Sequence, residues 1–172
     1  NAKAKGAGYD CLIPVSGGKD SHTLVNAVES AGLRPLLFNV SDWFTQTKAG
    51  KHNLDNLAKR HDLVVQKMSR DLFVRATRAV LEETGEALLY IENLIYLWPI
   101  QYAQRMGINM VLFGEDSAFQ YGSSEVESIT ANAQIERMVE KFEAEIPFWE
   151  SVGISEREVR SSFPDRRDMP QV

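Results

Sequence analysis

The chain is most constrained by Ser16-Gly17-Gly18-Lys19-Asp20-Ser21, which follows the apolar run Leu12-Ile13-Pro14-Val15 and leads into a helix with Leu24, Val25, Val28 and Ala31 on its inward face. A short buried strand, a turn of small residues and a helix start fix the class of fold and the end of it where a ligand can sit. Glycine has no Cβ, so the backbone can bend sharply and bring its N–H groups close to an anion. The first helical turn adds unpaired N–H donors and the positive end of the dipole. Ser16 and Ser21 bring hydroxyls to the same place, and Lys19 brings a mobile charge.

Three better-known glycine-rich motifs do not fit. A Walker A loop would place glycine where Ile13 stands, and Ser or Thr where Asp20 stands. A dinucleotide fingerprint puts its glycines after the strand, whereas Gly6 and Gly8 precede it. A nucleophile elbow lacks its first glycine at Pro14, and none of His22, His52 or His61 comes late in the chain, where that fold brings its histidine.

Four short apolar runs read as strands: Cys11–Val15, Leu36–Val40, Leu63–Gln66 and Asn109–Phe113. Helical pattern separates them, with apolar positions at Leu54, Leu57 and Ala58, and at Leu72, Phe73, Ala76 and Val80. Gly32 followed by Pro35 closes the first helix. Alternating strands and helices imply right-handed crossovers and an α/β fold: a doubly wound, mostly parallel, Rossmann-like sheet with helices on both faces. The segment from Ala87 to Met106 is apolar almost all round, as a core helix or a subunit interface would be, and Pro99 is expected to break or kink it. Beyond Tyr121 no fifth strand is visible, and Ile135, Met138, Val139, Phe142 and Ile146 mark an amphipathic helix. Residues 1–125 are read as the nucleotide domain and 126–172 as a helical C-terminal extension of it.

Ligands in such sheets bind at the carboxyl ends of the strands. That gathers the Ser16–Ser21 loop, Ser41-Asp42-Trp43-Phe44-Thr45 and Gly114-Glu115-Asp116-Ser117 at one crevice. Composition narrows the partners. The 172 residues are 44% hydrophobic and 25% charged, enough for one domain with a sizeable core. A net charge of −5 without a basic run argues against a large nucleic-acid footprint. Cys11 is the one cysteine, so there is no internal disulfide and no cysteine-rich metal site. Charged and amide side chains interrupt the most apolar stretch, so no membrane span is expected and a cytoplasmic location is the default.

Ser-Gly-Gly-x-Asp-Ser after a first strand resembles the signature of the PP-loop, or N-type, ATP pyrophosphatases, which cleave ATP between the α and β phosphates. Three further stretches resemble the N-acetyl sugar amidotransferases of surface-glycan biosynthesis within that superfamily. They are Tyr9-Asp10-Cys11 through Ser21, Thr47 through Leu57 with its Thr-x-x-Gly-x-x-Asn-Leu-x-x-Leu spacing, and Phe113-Gly114-Glu115 with Tyr121-Gly122. The family's cysteines have no counterpart here, and Asp116 stands where it has Asn.

The resemblance implies an adenine-nucleotide-hydrolase type of sheet and the cofactors ATP and Mg²⁺. Val15, Ser16, Gly17, Gly18, Lys19, Asp20, Ser21, Asn39 and Gly114 would hold the nucleotide, with Lys19, Asp20 and Glu115 as its catalytic groups. Asp20 and Glu115 would be the Mg²⁺ carboxylates. Asp42, Trp43, Thr47, Asp116 and Tyr121 would face the acceptor, with Gln101 a further candidate. The reaction implied is adenylation of a carbonyl oxygen, then its replacement by nitrogen from ammonia, on an N-acetylated sugar nucleotide. Ammonia would come from a separate glutamine amidotransferase subunit, since Cys11 begins a buried strand away from the crevice. Two other readings stand beside this one: an RNA-modifying ligase or sulfurtransferase of the same superfamily, and a nucleotide-binding sensor. Plainer roles also stand for single residues. Asp20 would then act only in its helix turn, Asp42 and Trp43 would form a loop tip, Thr47 would start a helix, Asn53 would be a solvated helix position, and the three histidines would lie on helix surfaces.

Overall fold

A computed structural model describes residues 8–44, 46–114 and 131–162. Three strands pair in parallel in the order β1 (Cys11–Pro14), β2 (Pro35–Ser41), β3 (Leu63–Lys67), with Leu12 beside Leu36 and Leu37 beside Leu63. These are the first three expected strands, with ends displaced by one residue. The fourth run, Asn109–Phe113, pairs with the free side of β1 through one parallel bridge between Leu12 and Val111. Leu12 N–H donates to the Met110 carbonyl at 2.9 Å, and Leu112 N–H to the Leu12 carbonyl at 3.0 Å. β1 is therefore flanked on both sides.

Alternation along the strands sorts the core into two layers. Cys11, Ile13, Val15 and Leu37 face one way and are covered by α1 (Lys19–Ser30) and α2 (Lys48–Ala58) through Val25, Val28, Leu54 and Leu57. Leu12, Leu36 and Phe38 face the other way. They meet α3 (Arg70–Thr84) and α4 (Leu89–Arg105) through Leu72, Phe73, Leu94 and Leu97. The chain thus moves outward from β1 to β3 over one face and returns to the far side of β1 over the other. The doubly wound architecture has its switch point at β1, where the Ser16–Ser21 loop emerges.

The helix ends follow from local chemistry. α1 closes at Ala31, where Gly32 N–H donates to the Glu29 carbonyl at 2.9 Å and Leu33 N–H to Val28 at 3.2 Å. Thr47 opens α2, its hydroxyl accepting from Gly50 N–H at 3.0 Å. Of the break or kink expected at Pro99, the break does not occur: α4 runs through it as one helix. Proline removes the N–H that would meet the Ile95 carbonyl and crowds that carbonyl with its ring. The helix makes that loss good by burying Tyr90, Ile91, Leu94, Leu97, Trp98 and Ala103 in the core, so core rather than interface is where these side chains are used.

The C-terminal part joins the same layer. α5 (Ala131–Ser151) and α6 (Glu156–Ser162) contribute Val139, Phe142, Trp149, Ile154 and Val159 to the larger core. The Trp149 ring stands edge-on to Tyr90 with centroids 5.4 Å apart. The expected division at residue 125 falls outside the described residues. No helix among the described residues is long and apolar enough to cross a membrane.

Candidate functional site

The loop after β1 is anchored at both ends by its own serines. Ser16 N–H donates to Ser21 Oγ at 3.0 Å, and Ser16 Oγ accepts from Gly18 N–H at a long 3.3 Å. Ser21 is buried, so its hydroxyl closes the loop upon the start of α1. Gly18 is the N-cap of α1, at φ −78° and ψ 173°, and no side chain caps that helix. The first-turn N–H groups thus have neither an intrahelical nor a capping partner and face outward at the positive end of the helix.

The two glycines differ in what they require. Gly17 has φ +83°, and a Cβ there would stand 2.4 Å from the Gly50 carbonyl oxygen and 3.0 Å from Leu54 Cγ. Gly18 has an ordinary φ, and its Cβ would meet only Ser16 Oγ at 3.4 Å. The fold itself demands glycine at Gly17. At Gly18 it leaves room that only a ligand would contest. The sharp-turn requirement read across both positions belongs to Gly17 alone.

Asn39 fixes the neighbouring strand end. Val15 N–H donates to the Phe38 carbonyl at 2.9 Å, and Asn39 Nδ2 donates to the Val15 carbonyl at 2.7 Å, so both backbone groups of Val15 are held by β2. Asn39 is buried, yet its Oδ1 accepts nothing. A buried carbonyl oxygen without a donor costs roughly 1–3 kcal/mol, which a donor from a ligand would recover.

Two cavities flank this framework. A cleft of about 130 Å³ is lined by Pro14, Val15, Ser16, Gly18, Asp20, Ser21, Phe38, Asn39, Val40, Ile95, Tyr96, Phe113 and Gly114. Its walls are mostly apolar, and Tyr96 and Phe113 meet at 5.4 Å between ring centroids. That suits a flat heterocycle lying beside an anion loop. The second cavity lies on the α2 side of the loop, where Ser41, Asp42, Gln46, Thr47 and Asn53 join Ser16, Gly17, Gly18 and Asn39. Among the described residues its lining carries hydroxyls, amides and one carboxylate, and no cationic side chain.

The structure thus brings together Val15, Ser16, Gly17, Gly18, Asp20, Ser21, Asn39, Gly114, Asp42 and Thr47. Lys19 is placed otherwise. Its side chain is 86% exposed, ion-pairs with the Asp20 carboxylate at 2.7 Å, and lines neither cavity. Trp43 stands outside the second cavity, 44% exposed, with Nε1 donating to the Met68 carbonyl at 3.3 Å and Lys67 Nζ 5.5 Å from its ring centre. Gln101 is buried in α4 and lines neither cavity. Glu115, Asp116 and Tyr121 lie outside the described residues. Among the described residues, Asp20 is the one acid of the cleft lining, and no group of three His, Cys, Asp or Glu side chains converges. The Asp20 carboxylate, 54% exposed and paired with the Lys19 ammonium, is a hard oxygen donor that a cation such as Mg²⁺ could take only by displacing that ammonium.

Sequence reading weighed Asn53 as a solvated position. Instead its Nδ2 donates to the Gly17 carbonyl at 2.8 Å, across 36 positions of sequence. The Thr47-x-x-Gly50-x-x-Asn53-Leu54 spacing was the available signal, because it puts all four residues on the helix face that meets the loop. Cys11 is wholly buried in β1, and burial, reinforced by Asp10, pushes its thiol up to about 11. His61 also departs from expectation. It follows α2 rather than lying on it, and its imidazole is largely buried 3.2 Å from Glu29.

The sequence matches no family model and no curated protein significantly. Several solved structures share a similar course of backbone. NMN synthetase from Francisella tularensis is 14% identical with a TM-score of 0.48, over 92% of this chain and 66% of its own. Glutamine-dependent NAD⁺ synthetase from Acinetobacter baumannii, solved with ADP, is 15% identical with a TM-score of 0.48, over 93% and 33%. A predicted subunit of tRNA methyltransferase from Methanocaldococcus jannaschii is 13% identical with a TM-score of 0.45, over 89% and 73%. The chain therefore spans only a third of the NAD⁺ synthetase and just under two thirds of the NMN synthetase. Likeness of this degree carries no statement about activity.

Proposed function

We propose that this chain is an ATP pyrophosphatase of the PP-loop type that activates a carbonyl oxygen and exchanges it for nitrogen. The observation that carries the reading is the uncapped start of α1 behind a glycine loop, opening at the switch point of the sheet into a cleft with apolar and aromatic walls. Adenine would lie against those walls, with an N–H donor for Asn39 Oδ1. The β and γ phosphates would lie over Gly18 and the first-turn N–H groups of α1, with Ser16 Oγ as a further donor. Asp20 would hold Mg²⁺, which when bound neutralises charge on the departing pyrophosphate.

The substrate oxygen attacks the α-phosphorus and the bond to the β-phosphate's bridging oxygen breaks, so pyrophosphate leaves with that electron pair. What this chain supplies is position and donors for the oxyanion that grows there. Ammonia then attacks the activated carbon and AMP departs with the former carbonyl oxygen, the nitrogen losing its surplus proton to solvent. The hydroxyl- and amide-lined second cavity supports a neutral polyhydroxylated acceptor group, such as the sugar of an N-acetylated sugar nucleotide. A glutamine amidotransferase partner would deliver the ammonia.

Cys11 argues against sulfur as the transferred atom. A persulfide carrier needs an accessible thiolate. Here burial in the first strand withholds both access and charge. The decisive experiment incubates the chain with ATP, Mg²⁺, ammonium and a panel of N-acetylated sugar nucleotides. Pyrophosphate rather than orthophosphate should appear, and mass spectrometry should find oxygen replaced by NH in one acceptor. Orthophosphate release, or pyrophosphate release with unchanged acceptors throughout, would remove the proposal.

A further inference from the structure

We infer that Asn53 is a positioning residue that sets which way the Gly17–Gly18 peptide faces, and so whether the loop offers an incoming anion a donor or an acceptor. The inference rests on the reading of the loop as a pyrophosphate site. The peptides of the described chain are trans. In a trans peptide the C=O and the next N–H point in opposite directions. Asn53 Nδ2 draws the Gly17 carbonyl toward α2, with a 2.8 Å hydrogen bond. The Gly18 N–H is thereby turned the other way, into the concavity of the loop, where it finds only the long 3.3 Å contact to Ser16 Oγ.

Such an arrangement needs holding. A peptide between two glycines meets no Cβ on either side, so it can turn over at little steric cost. Turned over, it would present the Gly17 carbonyl to the phosphate and withdraw the Gly18 donor. Local sequence does not prevent this. Asn53 does, from a helix that the chain reaches only after a further strand.

The same helix turn supplies the rest of the clamp. Thr47 and Gly50 fix the start of α2 by their 3.0 Å hydrogen bond, and the Gly50 carbonyl and Leu54 close the space beside Gly17. Asn53 also lines the second cavity. A group bound there touches the residue that orients the loop, which ties acceptor position to the grip on pyrophosphate.

Calorimetric titration of inorganic pyrophosphate into the full chain tests this, using Asn53→Ala and the isosteric Asn53→Asp. Loss of the amide donor should weaken binding about tenfold in Asn53→Ala. A carboxylate cannot donate, so Asn53→Asp should bind more weakly still at neutral pH. Protonation gives that side chain an O–H donor, so its affinity relative to wild type should recover as pH falls toward about 4. Loss of packing alone would not produce that recovery, and the neutral near-isostere Asn53→Leu, which cannot donate at any pH, should stay weak across the series and so separates the lost donor from relief of charge repulsion. Wild-type affinity in a folded Asn53→Ala protein overturns the inference, as does an Asn53→Asp deficit that does not change with pH. Should Asn53→Ala fail to fold, Asn53→Leu takes its place, and wild-type affinity in that variant overturns the inference. If wild type itself binds no pyrophosphate, the loop assignment falls and takes the inference with it. If wild type binds pyrophosphate yet releases none from ATP, the enzymatic reading falls while the variants still judge the role of Asn53.

Discussion

At Gly17 a side chain has nowhere to go, and at Gly18 it does. The difference separates a folding requirement from a binding one inside a single dipeptide. Gly17→Ala would force a methyl to 2.4 Å from the Gly50 carbonyl oxygen at a positive φ. It should cost about 1–3 kcal/mol of stability, read as a lowered denaturation midpoint. Gly18→Val should keep a cooperative fold, because its Cβ meets only a movable serine hydroxyl at 3.4 Å. Its ATP affinity should nevertheless fall at least tenfold in a direct titration, since the added methyls occupy the path of the anion. Unchanged affinity would disprove the loop assignment. Cys11 provides the opposite case, a buried group outside the chemistry. Cys11→Ala should cost about 1 kcal/mol of packing and leave ammonium-dependent turnover intact. Lost turnover in a stable variant, with sulfur found in the product, would show that this thiol carries the donor atom.

At the scale of elements, α6 is too short to persist by itself and is held by its first turn. Ser155 N–H and Oγ donate to Glu158 Oε2 at 3.0 and 2.8 Å, while Ser155 Oγ accepts from Glu158 N–H at 3.3 Å, a reciprocal capping box. The other carboxylate oxygen of Glu158 meets the Arg75 guanidinium on α3, which ties the C-terminal helix to the sheet layer. Arg75 first, and then the Ser155 donors, lower the Glu158 carboxyl from an ordinary 4.5 to about 2. A depressed folded value means that the tie is fully present above about pH 4.5 and is lost as pH falls through about 2. Glu158→Gln should therefore lower the thermal midpoint at pH 7, and its midpoint should fall less than that of wild type between pH 5 and pH 2. Parallel pH profiles for the two proteins would show that this contact contributes nothing.

For the whole molecule, β1 is the axis. It pairs with β2 on one side and with the Val111 segment on the other, and it ends at the loop. Leu12 lies fully buried at its centre, in the larger core. Leu12→Ala should cost about 2–5 kcal/mol by transfer and cavity terms, because so central a site collapses poorly. If the loop binds ATP only in the folded state, saturating ATP should restore part of the lost midpoint by mass action, by about 2.7 kcal/mol at a hundredfold excess over Kd. A variant whose midpoint ignores ATP while wild type responds would show that damage to the strand had reached the site.

The sequence by itself determined the elements whose cause is local. Short apolar runs between turn signals placed the three strands to within one residue. The small-residue loop placed the helix start with its unpaired N–H groups, and the alternation of strands and helices placed the ligand crevice at the carboxyl ends of the strands. What it left open were contacts between residues far apart in the chain. The spacing puts Asn53 on one helix face with Thr47 and Gly50, but its hydrogen bond to the Gly17 carbonyl exists only once α2 is packed against the loop. Asn39 shows an unmet acceptor only once Val15 has taken its amide. Lys19 reads as a ligand group, yet its flexible stem lets the ammonium settle on the adjacent Asp20 carboxylate. Pro99 reads as a break or kink because one lost hydrogen bond is visible in the sequence, whereas the burial that keeps the helix in one piece is not. Local propensity and periodicity are written in neighbouring residues. Orientation of the Gly17–Gly18 peptide is decided by a hydrogen bond across 36 positions, and only the tertiary structure brings those two ends together.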